Sequence, residues 1–223
     1  MEAVILCGGF GTRLRSVLAD RPKCLAPVKG KTYLDYLTAF LERQGIESII
    51  FATGHLSEQV EAWVQKETRP WKSAISKEET PMGTGGALRL AARQVSSPHF
   101  LAFNGDTFLD VDCLQFMQFH TACKANVSLS VLQVPDTADY GRLEMQENKV
   151  IHFNEKGISG PGIINAGAYA ISKDFILQFP LKPMSFEKEI LTQTNAKIFG
   201  FRVDGHFLDI GTPANLALID TIL

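Results

Sequence analysis

The sequence predicts an α/β fold in which a mostly parallel central sheet lies between two layers of helices. Through residue 133, short apolar runs alternate with segments whose apolar residues recur at helical spacing. Strands that alternate with helices pair in parallel through right-handed crossovers, which leaves helices on both faces of the sheet. The first apolar run ends at Gly8 and Gly9, where a ligand can approach the backbone closely. These observations predict a Rossmann-like three-layer α/β/α domain.

The individual elements follow from periodicity and from capping residues. The helix predicted over 33–44 has Thr32 as its N-cap, Asp35 three residues later and Gly45 at its end. The other predicted helices are 57–65, 85–94 and 113–120, and the predicted strands are 3–6, 48–53, 74–77, 100–103 and 127–133. Later strands are expected over 142–145, 150–154, 163–171 and 198–203, mixed with short helices. We expect a single domain over 1–223, with an α/β half over 1–133 and a smaller mixed half over 134–223.

Composition and charge narrow the functional classes. The chain has 223 residues, a net charge of −2, 45% hydrophobic residues and 21% charged residues, as expected of a globular protein. A charge balance this close to neutral argues against nucleic acid or a membrane as a partner. The four cysteines, Cys7, Cys24, Cys113 and Cys123, lack C-x-x-C spacing, and we expect no secretion signal. Free thiols in a reducing cytoplasm are therefore predicted.

A cluster of glycines and cations follows the first predicted strand. Glycine stands at positions 8, 9 and 11, and Arg13, Arg15, Arg21 and Lys23 follow closely. A dinucleotide-binding G-x-G-x-x-G motif is excluded because position 14 is leucine, and a P-loop before Thr32 is excluded because position 25 is leucine. Backbone N–H groups of such a loop can face phosphate oxygens, and the cations supply charged donors. The loop therefore predicts polyphosphate binding; the alternative is a tight turn with solvated cations.

Further stretches, in a particular order, carry a resemblance to a known family. They are 6–14, 21–23, 81–87, 104–106, 153–156, 165–167 and 209–213. With these stretches the chain resembles the sugar-1-phosphate nucleotidyltransferases over nearly its whole length. The resemblance implies the fold of nucleotide-diphospho-sugar transferases, with 1–133 as the nucleotide-binding half and 134–223 as the sugar-binding half.

In this family an oxygen of a sugar 1-phosphate attacks the α-phosphorus of a nucleoside triphosphate, pyrophosphate leaves and a nucleoside-diphosphate sugar forms. The subgroup that the chain resembles most is the D-glycero-D-manno-heptose 1-phosphate guanylyltransferases. Mannose-1-phosphate guanylyltransferases and short N-acetylmuramate-1-phosphate uridylyltransferases are the alternatives. The identity of the sugar and the oligomeric state, monomer or dimer, stay open.

The resemblance also implies roles for individual residues. Arg13, Lys23 and Asp106 would be catalytic, with Arg13 on the β- and γ-phosphates and Lys23 on the α-phosphate. Asp106 and Asp209 would hold Mg²⁺, a cation that takes one or two carboxylates together with phosphates. The nucleotide would contact Leu6, Gly8, Gly9, Gly11, Thr12, Glu78, Pro81, Gly83 and Thr84, and the sugar phosphate would contact Tyr140, Gly141, Glu155, Lys156 and Asn165. Each of these residues also has a structural alternative to its functional role. The aspartates could cap helices or turns, Tyr140 could stand in a plain turn before a strand, residues 155 and 156 could form an exposed ion pair, and Asn165 could belong to a β-bulge or turn.

Glu78 predicts the preferred base. By spacing from Pro81 it falls where thymidylyltransferases have a glutamine that reads the base. A glutamine amide both donates and accepts, whereas a carboxylate only accepts. Guanine presents two adjacent donors, so Glu78 favours GTP over UTP and dTTP; the alternative is a solvated charge at a strand end.

Two other functional classes are less consistent with the sequence. A catalytically silent, nucleotide-sugar-binding regulatory subunit would be expected to lose charged groups, yet Arg13, Lys23, Asp106 and Asp209 are intact. An NAD-dependent oxidoreductase would require the third glycine that the loop lacks.

Overall fold

A computed structural model of the chain describes residues 1–9, 20–66, 68–154, 157–193, 195–210 and 215. The strands are β1 (Glu2–Leu6), β2 (Pro27–Val28), β3 (Lys31–Thr32), β4 (Ser48–Thr53), β5 (Lys72–Lys77), β6 (His99–Asn104), β7 (Thr107–Leu109), β8 (Val127–Val134), β9 (Arg142–Gln146), β10 (Lys149–Phe153), β11 (Gly162–Ser172), β12 (Ile198–Arg202) and β13 (Phe207–Asp209). The helices are α1 (Tyr33–Arg43), α2 (Ser57–Gln65), α3 (Gly83–Ala91), α4 (Cys113–Ala122) and α5 (Lys173–Leu177), with a 3-10 turn at Lys23–Leu25 and a π-helical turn at Phe186–Ile190.

The predicted helices and strands are confirmed, with small shifts at their ends. Helix α1 begins as expected, because the Thr32 side chain accepts from the Asp35 N–H and the Asp35 carboxylate accepts from the Thr32 N–H. This reciprocal capping satisfies two backbone donors that a helix start otherwise leaves unpaired. The short pairs β2–β3 and β7–β13 were not predicted.

One large sheet carries the fold, in the order β5-β4-β1-β6-β11-β8-β12-β10-β9. Strands β5, β4, β1 and β6 are parallel neighbours, and β12 is parallel to β8. Strand β11 is antiparallel to both β6 and β8, and β10 is antiparallel to both β12 and β9. The sheet is therefore mixed, which corrects the expectation of a mostly parallel sheet for the region beyond β6. Helical crossovers make neighbours parallel in the first half, whereas a short turn joins β9 to β10 and forces them antiparallel.

Strand β11 links the two predicted halves. Along one edge of β11, its last residues pair with β6 and its first residues pair with β9. Its other edge pairs with β8. Strands β11, β8, β12, β10 and β9 therefore close into a ring of hydrogen-bonded neighbours. The division of the domain at residue 133 stays a prediction.

Apolar side chains cover both faces of the sheet, as the three-layer prediction requires. Ile5 and Phe51 contribute to one cluster with residues of α1, α2 and α4, and Val4 and Ile50 contribute to the other with residues of α3 and α5. Successive residues of a strand point to opposite faces, so one strand supplies both clusters. Among the described residues, no helix is long and apolar enough to cross a membrane.

Candidate active site

The site lies where β4, β1 and β6 end side by side. The Cys7 N–H donates to the Ala52 carbonyl at 2.8 Å, and the Gly105 N–H donates to the Leu6 carbonyl at 3.0 Å. These bonds hold the loops after the three strands next to one another. Ligands of open α/β sheets bind at this edge, beyond the carboxyl ends of the strands.

Lys23 and Asp106 form an ion pair at this edge. Lys23 Nζ lies 3.0 Å from Asp106 Oδ2, and the two side chains are 20% and 30% exposed. The 3-10 turn that carries Lys23 is anchored by buried Cys24 and Leu25. A hydrogen bond with the Cys24 thiol, together with burial, raises the pKa of the Cys7 thiol well above its usual range, so Cys7 is a neutral, structural thiol. The turn therefore holds a cation beside the glycine loop.

Asp209 reaches the same region through the β7–β13 pair. Asp209 is opposite Thr107 in that pair, and the Ile210 N–H donates to the Asp106 carbonyl at 2.9 Å. Burial raises the pKa of the Tyr33 phenol well above its usual range, and the charges of Asp106 and Asp209 both add to the effect. The carboxylates of Asp106 and Asp209 thus both influence the pKa of one buried hydroxyl, although the two residues are more than a hundred positions apart in sequence.

The oxygen donors of these two aspartates fit Mg²⁺. Within the described part of the chain there is no group of three or more His, Cys, Asp or Glu side chains that could hold a metal. Mg²⁺ does not require such a group of three protein ligands, because it is commonly held by one or two carboxylates together with substrate phosphates and water. Asp106 and Asp209 are therefore the residues that could bind it.

Glu78 lies against the glycine loop. Its Oε1 is 3.2 Å from the position that a Cβ on Gly8 would occupy, and its carboxyl group also packs against Gly54. Its Oε2 accepts the Met82 N–H at 3.0 Å. Burial raises the pKa of Glu78, and the Met82 bond opposes that rise. This environment is not that of a fully solvated glutamate at a strand end.

The segment after Glu78 is attached to a distant part of the chain. The Met184 N–H donates to the Met82 carbonyl at 2.9 Å, and the Gly85 N–H donates to the Met184 carbonyl at 3.0 Å. Thr84 Oγ1 accepts the Phe186 N–H at 2.9 Å. Gly83 has a φ of +64°, and a Cβ there would meet the Met184 carbonyl at 2.6 Å, so glycine is required.

A cleft of about 500 Å³ opens beside this edge. It is lined by Asn104, Thr107, Tyr140, Gly141, Leu143, Phe153, Asn154, Asn165, Ala166, Gly167, Glu187, Lys188, Thr192, Phe207 and Asp209. Four of the predicted site residues, Tyr140, Gly141, Asn165 and Asp209, are therefore brought together. The Tyr140 ring packs edge-on against Phe207 with centroids 5.7 Å apart, so Tyr140 forms a wall of the cleft.

Asn165 sits at a β-bulge of β11. The register of β11 against β8 shifts between Asn165 and Tyr169, and Gly167 in the bulge has a φ of +81°. Asn165 Oδ1 accepts the Gly167 N–H at 3.1 Å. The bulge redirects the side chain toward the cleft, as bulges near binding sites commonly do. The structural and the functional interpretations of Asn165 are therefore compatible.

The remaining predicted nucleotide- and phosphate-binding residues fall into two groups, those outside the described residues and those near Glu78 and Asp106. Gly11, Thr12, Arg13, Glu155 and Lys156 lie outside the described residues. Leu6 and Gly8 border Asp106 and Glu78, as described above. Gly9 is exposed with open space where a Cβ would sit, and Pro81 and Thr84 are exposed near Glu78.

Asn104, Glu187 and Lys188 line the cleft but were not predicted. Asn104 belongs to the stretch 104–106 that carries the resemblance. Its closeness in sequence to the predicted site residue Asp106 could have identified it as a candidate site residue. Glu187 and Lys188 belong to a charged run, 187–189, that resembles any exposed helix surface. Nothing in the local sequence indicates that this run faces a cleft.

The chain is similar to known proteins over nearly its whole length. The family described as Nucleotidyl transferase matches residues 2–217. The D-glycero-alpha-D-manno-heptose 1-phosphate guanylyltransferase of Aneurinibacillus thermoaerophilus is 36% identical over 216 residues, which cover 96% of this chain and 94% of the relative. The protein of that name from Campylobacter jejuni is 36% identical over 217 residues, 96% of each chain.

A solved structure is similar over almost the whole chain. HddC from Yersinia pseudotuberculosis, complexed with GMP-PN, matches with a TM-score of 0.91 and 33% identity over 99% of this chain and 98% of that chain. Both the sequence and the fold therefore lead to one conclusion: the chain belongs to the nucleotidyl transferase family.

Proposed function

We propose that the protein transfers a guanylyl group from GTP to D-glycero-D-manno-heptose 1-phosphate, giving a GDP-sugar and pyrophosphate. The observation that carries this proposal is the Lys23–Asp106 ion pair, which lies between the glycine loop and the cleft. Backbone bonds join this pair to the glycine loop on one side and to the Asp209 segment of the cleft on the other. A triphosphate site and a site for a second, polar reactant thus share one border. Relatives named for this reaction match the chain over nearly their whole length.

Charge neutralisation and positioning are the main requirements of this reaction, because both reactants are polyanions. A phosphate oxygen of the sugar attacks the α-phosphorus, the bond from that phosphorus to the bridging α–β oxygen breaks, and pyrophosphate leaves. In the proposal, Lys23 contacts the α-phosphate, where negative charge grows as the bond breaks. Asp106 holds the Lys23 ammonium before substrate binds, at the observed 3.0 Å. Arg13 binds the outer phosphates, and Lys156 binds the sugar phosphate.

Mg²⁺ is proposed as the cofactor, held by Asp106 and Asp209. When bound, it would neutralise phosphate charge at the reacting centre. The two aspartates would orient it, and Lys23 would exchange part of its contact with Asp106 for the phosphate.

Glu78 is proposed to read guanine. With Oε2 fixed by the Met82 N–H, the carboxylate presents Oε1 toward Gly8 and Gly54. Guanine offers a ring N–H and an amino group, which a carboxylate can accept, whereas uracil would face it with carbonyl oxygens. The partial burial of Glu78 makes this mismatch costly.

We also propose that the enzyme works in the cytoplasm. Its four cysteines are free, and three of them are buried. Unpaired cysteines suit a reducing compartment.

The proposal is tested by incubating the protein with Mg²⁺, each of GTP, UTP, dTTP and ATP, and a panel of sugar 1-phosphates. The panel includes the heptose, mannose and N-acetylmuramate 1-phosphates, and released pyrophosphate is measured. Turnover that requires GTP and is fastest with the heptose phosphate supports the proposal. Preference for UTP and N-acetylmuramate 1-phosphate would replace it with a uridylyltransferase, and binding without turnover would indicate a regulatory subunit.

A further inference from the structure

The π-helical turn at Phe186–Ile190 is built so that Glu187 faces the cleft. Phe186 and Ile190 are 1% and 0% exposed, and the Phe186 ring packs edge-on against Tyr169 with centroids 5.1 Å apart. Ser185 Oγ accepts the Lys188 N–H at 3.1 Å, which caps the start of the turn. Two buried anchors and a cap leave the intervening residue little freedom. Such π-helical turns occur frequently at functional sites.

The amide of Asn165 is occupied by the protein itself. Its Nδ2 donates to the Tyr169 hydroxyl at 2.9 Å and to Glu187 Oε1 at 3.1 Å, and its Oδ1 accepts the Gly167 N–H. A primary amide has two N–H donors, so Asn165 has none left for a sugar. Glu187 Oε2, by contrast, accepts no hydrogen bond from the described residues. The carboxylate of Glu187 therefore offers the sugar an acceptor that no described residue occupies, and Asn165 orients it.

We propose that Glu187 binds neighbouring hydroxyl groups of the sugar and selects among sugar 1-phosphates, with Asn165 as its positioning residue. This inference rests on the proposed function. Sugar hydroxyls donate, and an ionised carboxylate accepts strongly through both oxygens. The fixed Oε1 retains a further acceptor site, because a carboxylate oxygen carries two lone pairs.

Charge determines which end of the substrate meets Glu187. A carboxylate and a phosphate dianion repel each other at short distance. The phosphate therefore points away from Glu187, toward the end of the site where the Lys23–Asp106 pair lies, and the hydroxyl-bearing face of the ring points to Glu187. The ligand class is then a polyhydroxylated pyranose 1-phosphate, in contrast to a phosphate ester without adjacent free hydroxyls.

The experiment pairs Glu187→Gln with deoxy analogues of the sugar 1-phosphate that the wild-type enzyme uses best. Glutamine has nearly the same shape but replaces one acceptor with a donor. Glu189→Gln is the control, because it removes the same charge from the same turn and keeps an oxygen for the Ser185 N–H that Glu189 now binds. Steady-state constants are measured for the sugar 1-phosphate and for GTP with each variant.

The expected result is a rise of about 10- to 100-fold in the KM for the sugar phosphate of Glu187→Gln, since a hydrogen bond to a charged group is lost. The KM for GTP stays within about twofold, as do all constants of Glu189→Gln. One or two deoxy analogues should weaken wild-type turnover about 10- to 100-fold but change that of Glu187→Gln by less than about threefold.

Two results would overturn the inference. One is an unchanged KM for the sugar phosphate in Glu187→Gln, and the other is an equal deoxy penalty in both enzymes at every position. Absence of wild-type turnover with every sugar 1-phosphate would instead refute the proposed function, so the two failures are distinguishable.

Discussion

Replacing Gly54 by alanine would test whether the position of the Glu78 carboxylate sets the choice of nucleobase. A Cβ on Gly54 would lie 2.9 Å from both Cγ and Cδ of Glu78, and closer still to Oε1. Carbon atoms pack at about 3.5 Å or more, so the carboxyl group has to move by at least about 0.6 Å. The backbone tolerates alanine, since Gly54 is not among the residues with a positive φ. The change therefore displaces Glu78 without altering its chemistry.

The displacement should reduce discrimination between bases. A hydrogen bond to a charged group contributes about 1.5–3 kcal/mol, and a misplacement near 1 Å can cost about 100-fold in rate. We expect the ratio of kcat/KM for GTP to that for UTP to fall by about 10- to 100-fold in Gly54→Ala. Glu78→Gln should produce a loss of similar size, because glutamine presents a donor to a donor.

A double-mutant cycle measures whether the two changes act through the same group. Wild type, Gly54→Ala, Glu78→Gln and the double variant are compared by pyrophosphate release with each nucleotide. If Gly54 acts through Glu78, the double variant should lie within about twofold of Glu78→Gln. Losses that multiply, or unchanged selectivity in Gly54→Ala with an intact fold by thermal melting, would refute the reasoning.

Three further predictions concern the metal, the cation and the acid stability of the fold. Asp106→Asn and Asp209→Asn should each lower Mg²⁺-dependent turnover by about 100-fold or more with little change in Tm, and full turnover of either would contradict the metal assignment. Lys23→Ala should lower kcat about 100-fold with a smaller change in the KM for GTP, as single-turnover kinetics would show; a change confined to KM would argue for ground-state binding alone. Burial and then His99 lower the pKa of His120 from 6.5 to about 4, so the unfolded chain binds this proton more readily than the folded one. The stability that His120 contributes is complete above pH 6.5 and falls as pH drops toward 4, by about 2 kcal/mol between pH 7 and pH 5. Urea unfolding at both values measures this loss, which His120→Asn should largely remove; an equal loss in that variant would contradict the prediction.

Local pattern was enough to predict the helices and most strands. The Thr32–Asp35 capping box, the apolar stripe of α1 and the continuous burial of β4 after Ser48 are all encoded within a few residues. Such features require no knowledge of distant contacts. For the same reason, the parallel neighbours β5, β4, β1 and β6 follow from strand–helix alternation.

Long-range pairing was beyond the reach of local pattern. Nothing within β11 indicates that it inserts antiparallel between β6 and β8, because an apolar run suits either direction. Strands β7 and β13 are three residues long, too short to show alternation, yet their pairing brings Asp209 beside Asp106. The two aspartates were named from the resemblance, and their proximity became visible only in the fold.

The site was predictable where a motif marks it and unpredictable where packing creates it. Lys23 and Asp106 stand in motif stretches and form an ion pair, and a backbone bond joins Gly105 to Leu6, which precedes the glycine loop. Glu187 reaches the cleft because Phe186 and Ile190 are buried in a π-helical turn, and hydrophobic spacing does not distinguish that turn from one turn of an α-helix. The use of both Asn165 donors within the protein likewise depends on a β-bulge.

The position of β11 also has a consequence during synthesis of the chain. Strands β6 and β8 end at residues 104 and 134, but the strand that separates them is completed only at residue 172. Until β11 leaves the ribosome, both neighbours present open hydrogen-bonding edges beside apolar faces. Such edges are templates for pairing with other chains. The nascent protein therefore passes through a stage in which seven of the nine strands of the sheet have been made without the strand that separates β6 from β8. Slowing translation before β11 has left the ribosome should increase the dependence of the chain on chaperones.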